Sequence, residues 1–545
     1  MAADGARLLQ RLEQLKPRRS VVQEKWREAF NLTHPLRGSG LEAPGALSGD
    51  VGSTSHSNAQ ARQAELLDTT GTDGARILAS ALQSGLTPAN SRWPGLDVGD
   101  ENDEERRWLD ESAEQMWENI HASNYDSVAY DCMLDMAIAG MFPMFVDEAP
   151  EGGYRFEEWA LANSYFAASR PGGPVDTVFN EFPLSAEQAV NDYGEGRVSE
   201  KIRKLVADGK PDEQVQFVRC CSPRSGATGR FALNLPFASV HIEKDSKQIM
   251  RESGYHEQPF GAPRWQLVAG SVYAEGVGVQ ALPDLKTLNT EVGYVLSNAD
   301  LAIAGMWGAV DDGVLNPRTV RVGPRKIIVM AAKDNMWPLQ PATKFEIAAL
   351  EIDRLQRSIR KMFMADQLEP QQRPGQPPTA TEVIVRVELI RQLLGPVYGR
   401  LQSEYLQWLV ARCFGLAYRA GIFAPVPRSI LNRAIRPVYH SPIARAQKAV
   451  DVSAMDRYEA TLANEAATTG KEELLDNYDW DEGARHRAEL LGVPAKLIPE
   501  KDAVDKRREA RAQASQQANA AEMVANVVRN AKGDITGLSR PKAAA

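Results

Sequence analysis

Residues 342–421 read ATKFEIAALEIDRLQRSIRKMFMADQLEPQQRPGQPPTATEVIVRVELIRQLLGPVYGRLQSEYLQWLVARCFGLAYRAG, the most informative stretch of the chain. In its first part apolar side chains recur every three or four residues, as on one face of an α-helix: Phe345, Ala349, Ile352, Leu355, Ile359 and Phe363. A second such stripe follows a group of prolines: Val383, Val387, Ile390, Leu394, Val397, Leu401, Tyr405 and Trp408. We expect this second helix to run to Gly421, about 60 Å at about 1.5 Å per residue, a length natural for a large assembly.

The two helices are separated by a segment that cannot be helical. Residues 369–378 contain four prolines and one glycine, and proline lacks the backbone donor that a helix needs. Thr379 or Thr381 is the expected N-cap of the second helix, with Glu382 near the positive end of the helix dipole. Pro396 lies within the second helix, where we therefore expect a bend.

The composition is typical of a large soluble protein with room for several domains. The chain has 545 residues, of which 43% are hydrophobic and 25% charged. No apolar run is long enough to predict a membrane span, and the first residues do not resemble a secretory signal. The four cysteines (Cys132, Cys220, Cys221 and Cys413) have no zinc-binding spacing, so we expect them to be buried small apolar residues in a reducing compartment.

The net charge of -9 limits how the chain could interact with nucleic acid. A protein that grips nucleic acid over a broad surface needs a basic stripe. A channel that lets DNA slide is better acidic or neutral, because each neutralised phosphate would hold the DNA in place. Net charge alone does not choose between these two possibilities.

The first 282 residues are expected to combine helices with an antiparallel sheet. Helices are predicted over 6–31 with a break at Pro17, and over 73–86, 102–122, 127–140, 185–193 and 199–207, with a long loop over 35–58. Short segments of high β propensity predict strands at 144–146, 154–156, 175–178, 215–218 and 240–242. The predicted fold class is therefore α+β and predominantly helical.

The next part of the chain predicts a hairpin arm. A helix over 282–306 carries an apolar stripe: Leu285, Leu288, Val292, Val295, Leu296, Ala299 and Ile303. Between this helix and the one that starts near Ala342 lies a compact insert with a predicted strand at 326–330 and proline turns. Beyond Gly421, shorter helices are predicted at 453–467, 471–478 and 482–491, then a polar segment over 502–530, and residues 532–545 are expected to be disordered.

The search for catalytic motifs finds almost nothing. The seven histidines are scattered, and there is no nucleophile elbow, phosphate-binding loop or metal-binding spacing. Residues 276–281 match the dinucleotide pattern GxGxxA, but the required strand and acidic residue do not follow, so glycines in a turn before a helix are the favoured interpretation. The adjacent carboxylates Glu157 and Glu158 are expected to be exposed and solvated, as are Asp311 and Asp312.

Several short motifs, in a consistent order over about residues 66–450, resemble those of portal or head-to-tail connector proteins of short-tailed double-stranded DNA bacteriophages. They are Leu78-Ala-Ser80, Leu86-Thr-Pro88 and Trp93; Glu252-Ser-Gly-Tyr255, Pro259-Phe260 and Arg264-Trp265; Ala281-Leu-Pro-Asp284 with Leu288-Asn289; Thr379-Ala-Thr-Glu382 with Gly395-Pro396 and Glu404; and Tyr439 with Ser441-Pro-Ile-Ala-Arg-Ala-Gln447. One motif departs: Tyr273-Ala-Glu-Gly276-Val277 lacks the proline that the family pattern has at this point.

The resemblance implies a portal fold with a wing, a stem, a clip and a crown, assembled as a ring of usually twelve subunits around a DNA channel. On this chain it implies a wing over 1–282, stem helices over 283–306 and 342–366 and a clip over 307–341. It further implies a tunnel loop over 367–380, a long wing helix over 381–421, a crown over 422–531 and a tail over 532–545.

The resemblance also implies candidate site residues. The tunnel loop would present Gln371, Gln372, Arg373 and Gln376 to the channel, and the second stem helix would carry a basic face of Arg354, Arg357, Arg360 and Lys361. The clip would dock the motor and the tail through Asp311, Asp312, Arg318, Arg321, Arg325 and Lys326. From the residues alone, the arginines are first interpreted as a solvated or ion-paired face and the loop as a plain surface loop.

The predicted function is that of a viral portal without catalysis, cofactor or metal, located at one capsid vertex of the virion and assembled in the host cytoplasm. The expected partners are further copies of the chain, double-stranded DNA, the terminase large subunit, tail adaptor proteins, and the major capsid and scaffolding proteins, with no membrane. Two alternatives remain: a nucleic-acid-processing enzyme, which would need a cluster of acidic metal ligands, and a non-viral helical scaffold.

Overall fold

The architecture comes from a computed structural model of the chain. It describes residues 4–42, 54–99, 102–224, 232–304, 306–309, 336–339, 345–368, 394–395, 397–431, 433–439, 442–491, 493, 497–499, 501, 503–518 and 523. The chain divides into two compact units. The first comprises Met1–Asp97, Ser112–Ala424 and Arg436–Ile443, and the second comprises Val98–Glu111, Pro425–Ile435 and Ala444–Ala545.

Helices account for most of the regular structure. They are α1 (Gly5–Asn31), α2 (Thr54–Ala64), α3 (Thr70–Leu86), α4 (Asp103–Ala122), α5 (Tyr125–Ala139), α6 (Ala186–Tyr193), α7 (Glu200–Ala207), α8 (Val277–Gln280), α9 (Leu282–Ala304), α10 (Phe345–Met362), α11 (Ala365–Leu368), α12 (Gln407–Arg419), α13 (Pro442–Thr469) and α14 (Trp480–Leu491). A π-helical turn, Gln402–Leu406, precedes α12, and residues 503–518 are also helical apart from any named element. Among the helices that the structure describes, none has the length and apolarity that crossing a membrane would require.

In the described part of the chain, the strands form one large antiparallel sheet and four small ones. They are β1 (Pro94–Asp97), β2 (Met144–Glu148), β3 (Tyr154–Glu158), β4 (Ser164–Ala167), β5 (Thr177–Ser185), β6 (Gln214–Pro223), β7 (Phe237–Glu243), β8 (Ile249–Tyr255), β9 (Phe260–Gly261), β10 (Gln266–Leu267), β11 (Ala274–Glu275), β12 (Met306–Ala309), β13 (Met336–Leu339) and β14 (Arg436–Tyr439). The large sheet has the order β4-β5-β6-β7-β8, and β3-β2-β9 form a second sheet. The prediction of an α+β, mainly helical fold is confirmed.

The large sheet is covered by helices on both faces. Alternate residues of β6 point to opposite sides, because side chains along a strand alternate. Val218 and Cys220 pack with Leu12 and Leu15 of α1, and Phe217 packs on the other face against α6 and α7. The strand prediction therefore located the core of this sheet but missed its two edge strands, β4 and β8.

The predicted break in the first helix is wrong, since α1 continues through Pro17. Pro17 is exposed, whereas Leu12, Leu15 and Arg19 are buried on either side of it. Nη1 of Arg19 donates to the carbonyl oxygens of Ala162 and Ser164 at the edge of β4, the latter at 3.2 Å. Packing on both sides of the proline offsets the one backbone hydrogen bond that the helix loses.

Other sequence-based boundaries also need correction. The loop predicted over 35–58 is interrupted at Thr54, where α2 begins. Below the tip of the predicted hairpin arm, β12 and β13 pair as an antiparallel ribbon that the sequence pattern did not indicate. The strand predicted at 326–330 and the Pro396 bend lie outside the described residues. The helix predicted over 453–467 extends in fact from Pro442 to Thr469.

Candidate functional site

Helices α9 and α10 lie side by side and are anchored in the first unit by α3. Two glycines on α3 make this contact possible. A side chain at Gly71 would come within 2.6 Å of Leu285 on α9, and one at Gly74 within 2.9 Å of the Phe363 ring that follows α10. The absence of Cβ atoms therefore lets α3 approach both helices closely.

Hydrogen bonds of polar side chains join the start of α9 to the last part of α10. Ser358 donates to Asp284 Oδ2 across the pair at 2.7 Å. The segment before α3 contacts both helices: Asp68 Oδ2 accepts from Gln356 on α10 at 2.8 Å, and the amide of Leu67 donates to Asn289 on α9 at 2.9 Å. These bonds fix the base of the helix pair.

Large apolar side chains of both helices are exposed away from this base. Leu285, Leu288, Leu355 and Ile359 are buried, in agreement with the predicted stripes. Farther from the base, the large apolar side chains are exposed: Tyr294 (66%), Leu296 (50%), Ile303 (85%), Ile347 (60%) and Leu350 (69%). Leu296 and Ile303 share one face of α9, whereas Tyr294 lies on the other side of that helix. Exposed large apolar side chains are typical of a protein interaction surface. We call these five residues the stem surface.

Two of the four basic side chains predicted on α10 are ion-paired within the helix. Arg354 is ion-paired with Glu351 and Arg357 with Asp353, at the three- and four-residue spacings that bring helical side chains together. A hydrogen bond from Arg354 lowers the pKa of the Glu351 carboxyl. Arg360 is half-buried, and Lys361 is exposed. The ion-paired interpretation of Arg354 and Arg357 thus agrees with the geometry.

The other predicted site residues fall outside the described part of the chain. This holds for the tunnel-loop residues Gln371, Gln372, Arg373 and Gln376 and for the clip residues Asp311, Asp312, Arg318, Arg321, Arg325 and Lys326. Their assignments therefore stay predictions. Of the segment assigned to the tunnel loop, Gln367 and Leu368 are described and belong to α11.

Two residues of the quoted motifs form a buried ion pair that the sequence analysis missed. Arg264 is 2% exposed, and its Nε and Nη2 donate to the two carboxylate oxygens of Glu404 at 3.0 and 2.7 Å. Nη2 also donates to the carbonyl oxygen of Gly173. An arginine and a carboxylate joined by two parallel hydrogen bonds need a specific geometry, so neither residue can be replaced without losing the pair. Their separation by 140 positions gave no signal of this pairing.

The segments around these two motif residues meet at a second point. Trp408 on α12 donates from its indole nitrogen to the carbonyl oxygen of Gln258 at 2.8 Å, and its ring lies where a side chain of Gly261 would be. Arg400 donates to the carbonyl oxygen of Trp265 at 2.9 Å. Residues 258–265 therefore bind α12 and the residues just before it to the rest of the first unit.

Two further motifs come together around Trp93, which is fully buried. Its indole nitrogen donates to His121 Nε2 at 3.1 Å, so Nδ1 carries the proton that is shared with Asp126 at 2.9 Å. Tyr439 lies on β14, which pairs with β1, the strand that begins directly after Trp93. The Tyr439 hydroxyl donates to the carbonyl oxygen of Leu86 at 2.5 Å. These motif residues hold the fold together and form no open site.

The glycine pattern at 276–281 serves close packing. A side chain at Gly276 would overlap the backbone of Gly140, and it would lie 2.7 Å from the carbonyl oxygen of Ile138. A side chain at Gly278 would lie 2.8 Å from the same oxygen. Only the two-residue strand β11 precedes the pattern, so the interpretation as turn glycines rather than a dinucleotide site agrees with the structure.

Glu158 contradicts the expectation of a solvated carboxylate. It lies with Asp131 and Asp135 around Arg37, whose Nε donates to Asp135 Oδ1 at 2.7 Å and whose Nη2 donates to Glu158. Three carboxylates thus share one guanidinium. Burial, together with the charge of Asp135, raises the pKa of Glu158 to about 9. β3 turns this side chain toward α5, an arrangement that a pair of adjacent glutamates in sequence does not reveal.

The described residues contain no arrangement typical of a metal centre. Within them, no group of three or more histidine, cysteine and carboxylate side chains is placed to hold a metal ion. All four cysteines are buried and unpaired, as predicted. Burial raises the pKa of the Cys221 thiol to about 11, which keeps it protonated and unreactive.

Comparisons with known proteins point to the same family as the sequence motifs do. A family model described as bacteriophage head to tail connecting protein matches residues 6–498. The chain is 27% identical over 542 residues to the portal protein of Salmonella phage epsilon15, covering 96% of this chain and 94% of that protein. It is 26% identical over 538 residues to a probable portal protein of Bordetella phage BPP-1, covering 94% and 92%.

Among solved structures, the neck of an empty GTA particle matches 78% of this chain and 90% of its own chain, at 12% identity and a TM-score of 0.35, a value too low to support a conclusion. The family model, by contrast, covers most of the sequence. The chain therefore belongs to the family of bacteriophage head to tail connecting proteins, as its motifs predicted.

Proposed function

We propose that the chain is the portal subunit of a short-tailed phage and that copies of it form a ring, of twelve subunits, at one capsid vertex. Double-stranded DNA would pass through the ring during packaging and ejection. Membership of the connector family supports this proposal, as do the names of its portal relatives in phages epsilon15 and BPP-1. The observation that carries it is the stem surface.

The stem surface has the properties that a ring contact requires. Five large apolar side chains on α9 and α10 are half or more exposed in the isolated chain, and full burial of an exposed leucine or isoleucine side chain contributes about 1.5–3 kcal/mol. A contact between different surfaces of identical subunits closes into a ring when the rotation between neighbours closes. The apolar stem surface therefore favours a ring of copies over a monomer.

The ion-paired charges of α10 suit a channel through which DNA must pass without being held. Arg354 and Arg357 already have carboxylate partners on their own helix. Ion-paired arginines neutralise few phosphates, and DNA affinity rises with every phosphate that is neutralised. We therefore assign the stem a near-neutral surface over which double-stranded DNA moves, with Lys361 as an exposed basic group at the end of α10.

The remaining partners follow from the connector role. We assign the clip residues within 307–341 to docking of the terminase large subunit and later of tail adaptor proteins. The major capsid and scaffolding proteins would surround the ring when it is assembled in the host cytoplasm. The chain itself would catalyse no reaction. The active-site motifs sought in its sequence were not found, and its connector family supports a structural role.

Electron microscopy of the purified protein tests the ring. The unsubstituted chain should form closed rings, whereas the double variant Ile347→Asp/Leu350→Asp should remain monomeric because two buried charges would oppose the apolar contact. Glu346→Gln/Asp353→Asn, on the same helix, should keep the rings. Monomers or open filaments of the unsubstituted chain would refute the proposal, and cleavage of DNA with a divalent metal would favour an enzyme instead.

A further inference from the structure

The second unit exposes a row of aromatic rings that the connector role leaves unexplained. Tyr458 on α13 is 50% exposed and Trp480 at the start of α14 is 40% exposed. The Tyr478 ring lies between them, with ring centroids 5.8 Å from Tyr458 and 5.2 Å from Trp480. The Tyr478 hydroxyl donates to Glu459 at 2.8 Å and the Trp480 indole nitrogen to the carbonyl oxygen of Leu475 at 3.1 Å. The rings are therefore held in place before any partner binds.

This row lies in a strongly acidic segment. Residues 472–482 contain six carboxylates and no basic residue. Asp476, Asp479 and Glu482 are exposed, and Asp479 caps the start of α14 by accepting from the amide of Glu482 at 3.0 Å. Fixed aromatic rings beside carboxylates bind guanidinium groups well, through the ring faces and through charge-assisted hydrogen bonds. We call Tyr458, Tyr478, Trp480, Asp476 and Glu482 the Trp480 surface.

The same unit carries a complementary basic helix. Residues 503–518 contain four basic and two acidic side chains, and every residue after Val504 is exposed. Arg507 and Arg511 lie one turn apart and so share a face, from which Lys506 points away. A helix of this length that buries no face is marginally stable by itself, which indicates that it gains a partner.

One contact within the chain already joins these two elements. Arg508 of the helix forms an ion pair with Asp481, next to Trp480, with Nη2 to Oδ1 at 2.6 Å. This pair occupies Arg508 and Asp481. Arg507, Arg511, Asp476 and Glu482 have no ion pair among the described residues of their own chain, so they are available to a neighbouring copy.

We propose that the Trp480 surface of one copy binds the Arg507–Arg511 face of a neighbouring copy, as a second contact in the ring. The inference depends on the proposed ring, because a ring brings the Trp480 surface of every copy next to the basic helix of a neighbour. Each exposed ion pair contributes little alone. Most of the binding energy would come from burial of the aromatic rings, and the ion pairs would surround them. Among the described side chains of α13 and α14, the buried apolar ones are Val452, Leu462, Ala466 and Leu490, and a contact with a neighbour would add to this core.

Cross-linking between two differently substituted chains tests the contact. One chain carries Tyr458→Cys and a size tag, the other carries Arg511→Cys, and the two are mixed before ring assembly and then oxidised. A disulfide between the different chains can form only between copies. The native cysteines are buried and give little background. We expect a heterodimer on a non-reducing gel, and its loss when Lys506→Cys replaces Arg511→Cys as the matched control.

Charge reversal provides the second arm. Arg507→Glu in the Arg511→Cys chain should abolish the heterodimer, and Asp476→Lys/Glu482→Lys in the Tyr458→Cys chain should restore it. Two results would overturn this contact while leaving the portal proposal intact. One is closed rings without any heterodimer, and the other is as much heterodimer from Lys506→Cys as from Arg511→Cys. Absence of rings from the unsubstituted chain would overturn both.

Discussion

A single buried arginine links two distant parts of the first unit. Arg264 is almost fully enclosed, and its charge is balanced by Glu404, which is 13% exposed in its side chain. Removing one partner of a buried pair leaves the other charge without solvation, which costs far more than losing an exposed pair. The pair therefore joins two motif segments that lie 140 positions apart in the chain.

Glu404→Gln should therefore lower the free energy of unfolding by about 3 kcal/mol, since the amide fills the same space but no longer balances the guanidinium. Denaturant titration measures the effect. The exposed carboxylate of Glu351, paired with Arg354 on α10, offers the control: Glu351→Gln should leave the unfolding midpoint unchanged. Equal effects of the two substitutions would contradict the assigned role of burial.

Glu158 makes stability depend on pH in a defined direction. Burial raises its pKa from 4.5 to about 9, so the folded chain retains a proton that the unfolded chain releases. This contribution to stability is fully present below pH 4.5 and is lost as the pH rises toward 9. Asp131, Asp135 and Arg37 surround the group, and of these only Arg37 favours the ionised form.

Glu158→Gln should flatten the decline in unfolding free energy between pH 4.5 and about 9, because glutamine has no proton to lose. Denaturant titrations at several pH values provide the measurement. Glu157→Gln changes the neighbouring carboxylate, which pairs with Arg155 and Arg219, and should keep the slope of the unsubstituted chain. A Glu158→Gln variant with an unchanged slope would show that Glu158 ionises normally in the folded chain.

At the level of elements, close backbone contacts decide where helices pass. The end of α5 and the start of α8 touch through Gly140 and Gly276, and α3 meets α9 and α10 through Gly71 and Gly74. Gly140 also has φ of 90° as the residue that ends α5, a conformation that glycine adopts without strain. The glycine pattern at 276–281 thus encodes helix contact, which a nucleotide-binding motif of the same letters would not require.

Gly276→Ala should destabilise the first unit by about 1–3 kcal/mol, because the added methyl group meets backbone atoms that cannot move aside. Gly196→Ala is the matched control, since nothing lies within 4 Å of the added atom there. Thermal unfolding distinguishes the two. An unchanged midpoint for Gly276→Ala would mean that α5 and α8 separate more easily than their backbone contact indicates.

At the scale of the whole molecule, the helix pair α9–α10 connects the described fold to the predicted clip and tunnel loop. The base of the pair is fixed by Asp68, Asn289, Asp284 and their partners, whereas its far end exposes the stem surface. An element that is firmly anchored at one end and apolar at the other suits assembly with further copies. The two units can each contribute one contact, the stem surface and the Trp480 surface.

Deleting 371–376 should leave ring formation intact while reducing DNA packaging or its retention in particles. These residues lie outside the described part of the chain, and their assignment to the tunnel loop rests on the family resemblance. Electron microscopy of the variant and the DNA content of assembled particles provide the two readouts. Loss of rings would instead make the segment a structural joint, and unchanged DNA content would remove it from the channel.

The sequence by itself determined the helices and strands with strong periodicity, the burial of the cysteines and the family. These properties depend on local spacing and on motif order, which are written in the chain directly. Only the tertiary structure decided that α1 passes through Pro17, that Glu158 is buried beside Arg37, and that Arg264 meets Glu404. The physical reason is that each outcome depends on residues distant in sequence, whose packing, desolvation and charge balance exist only once the fold brings them together.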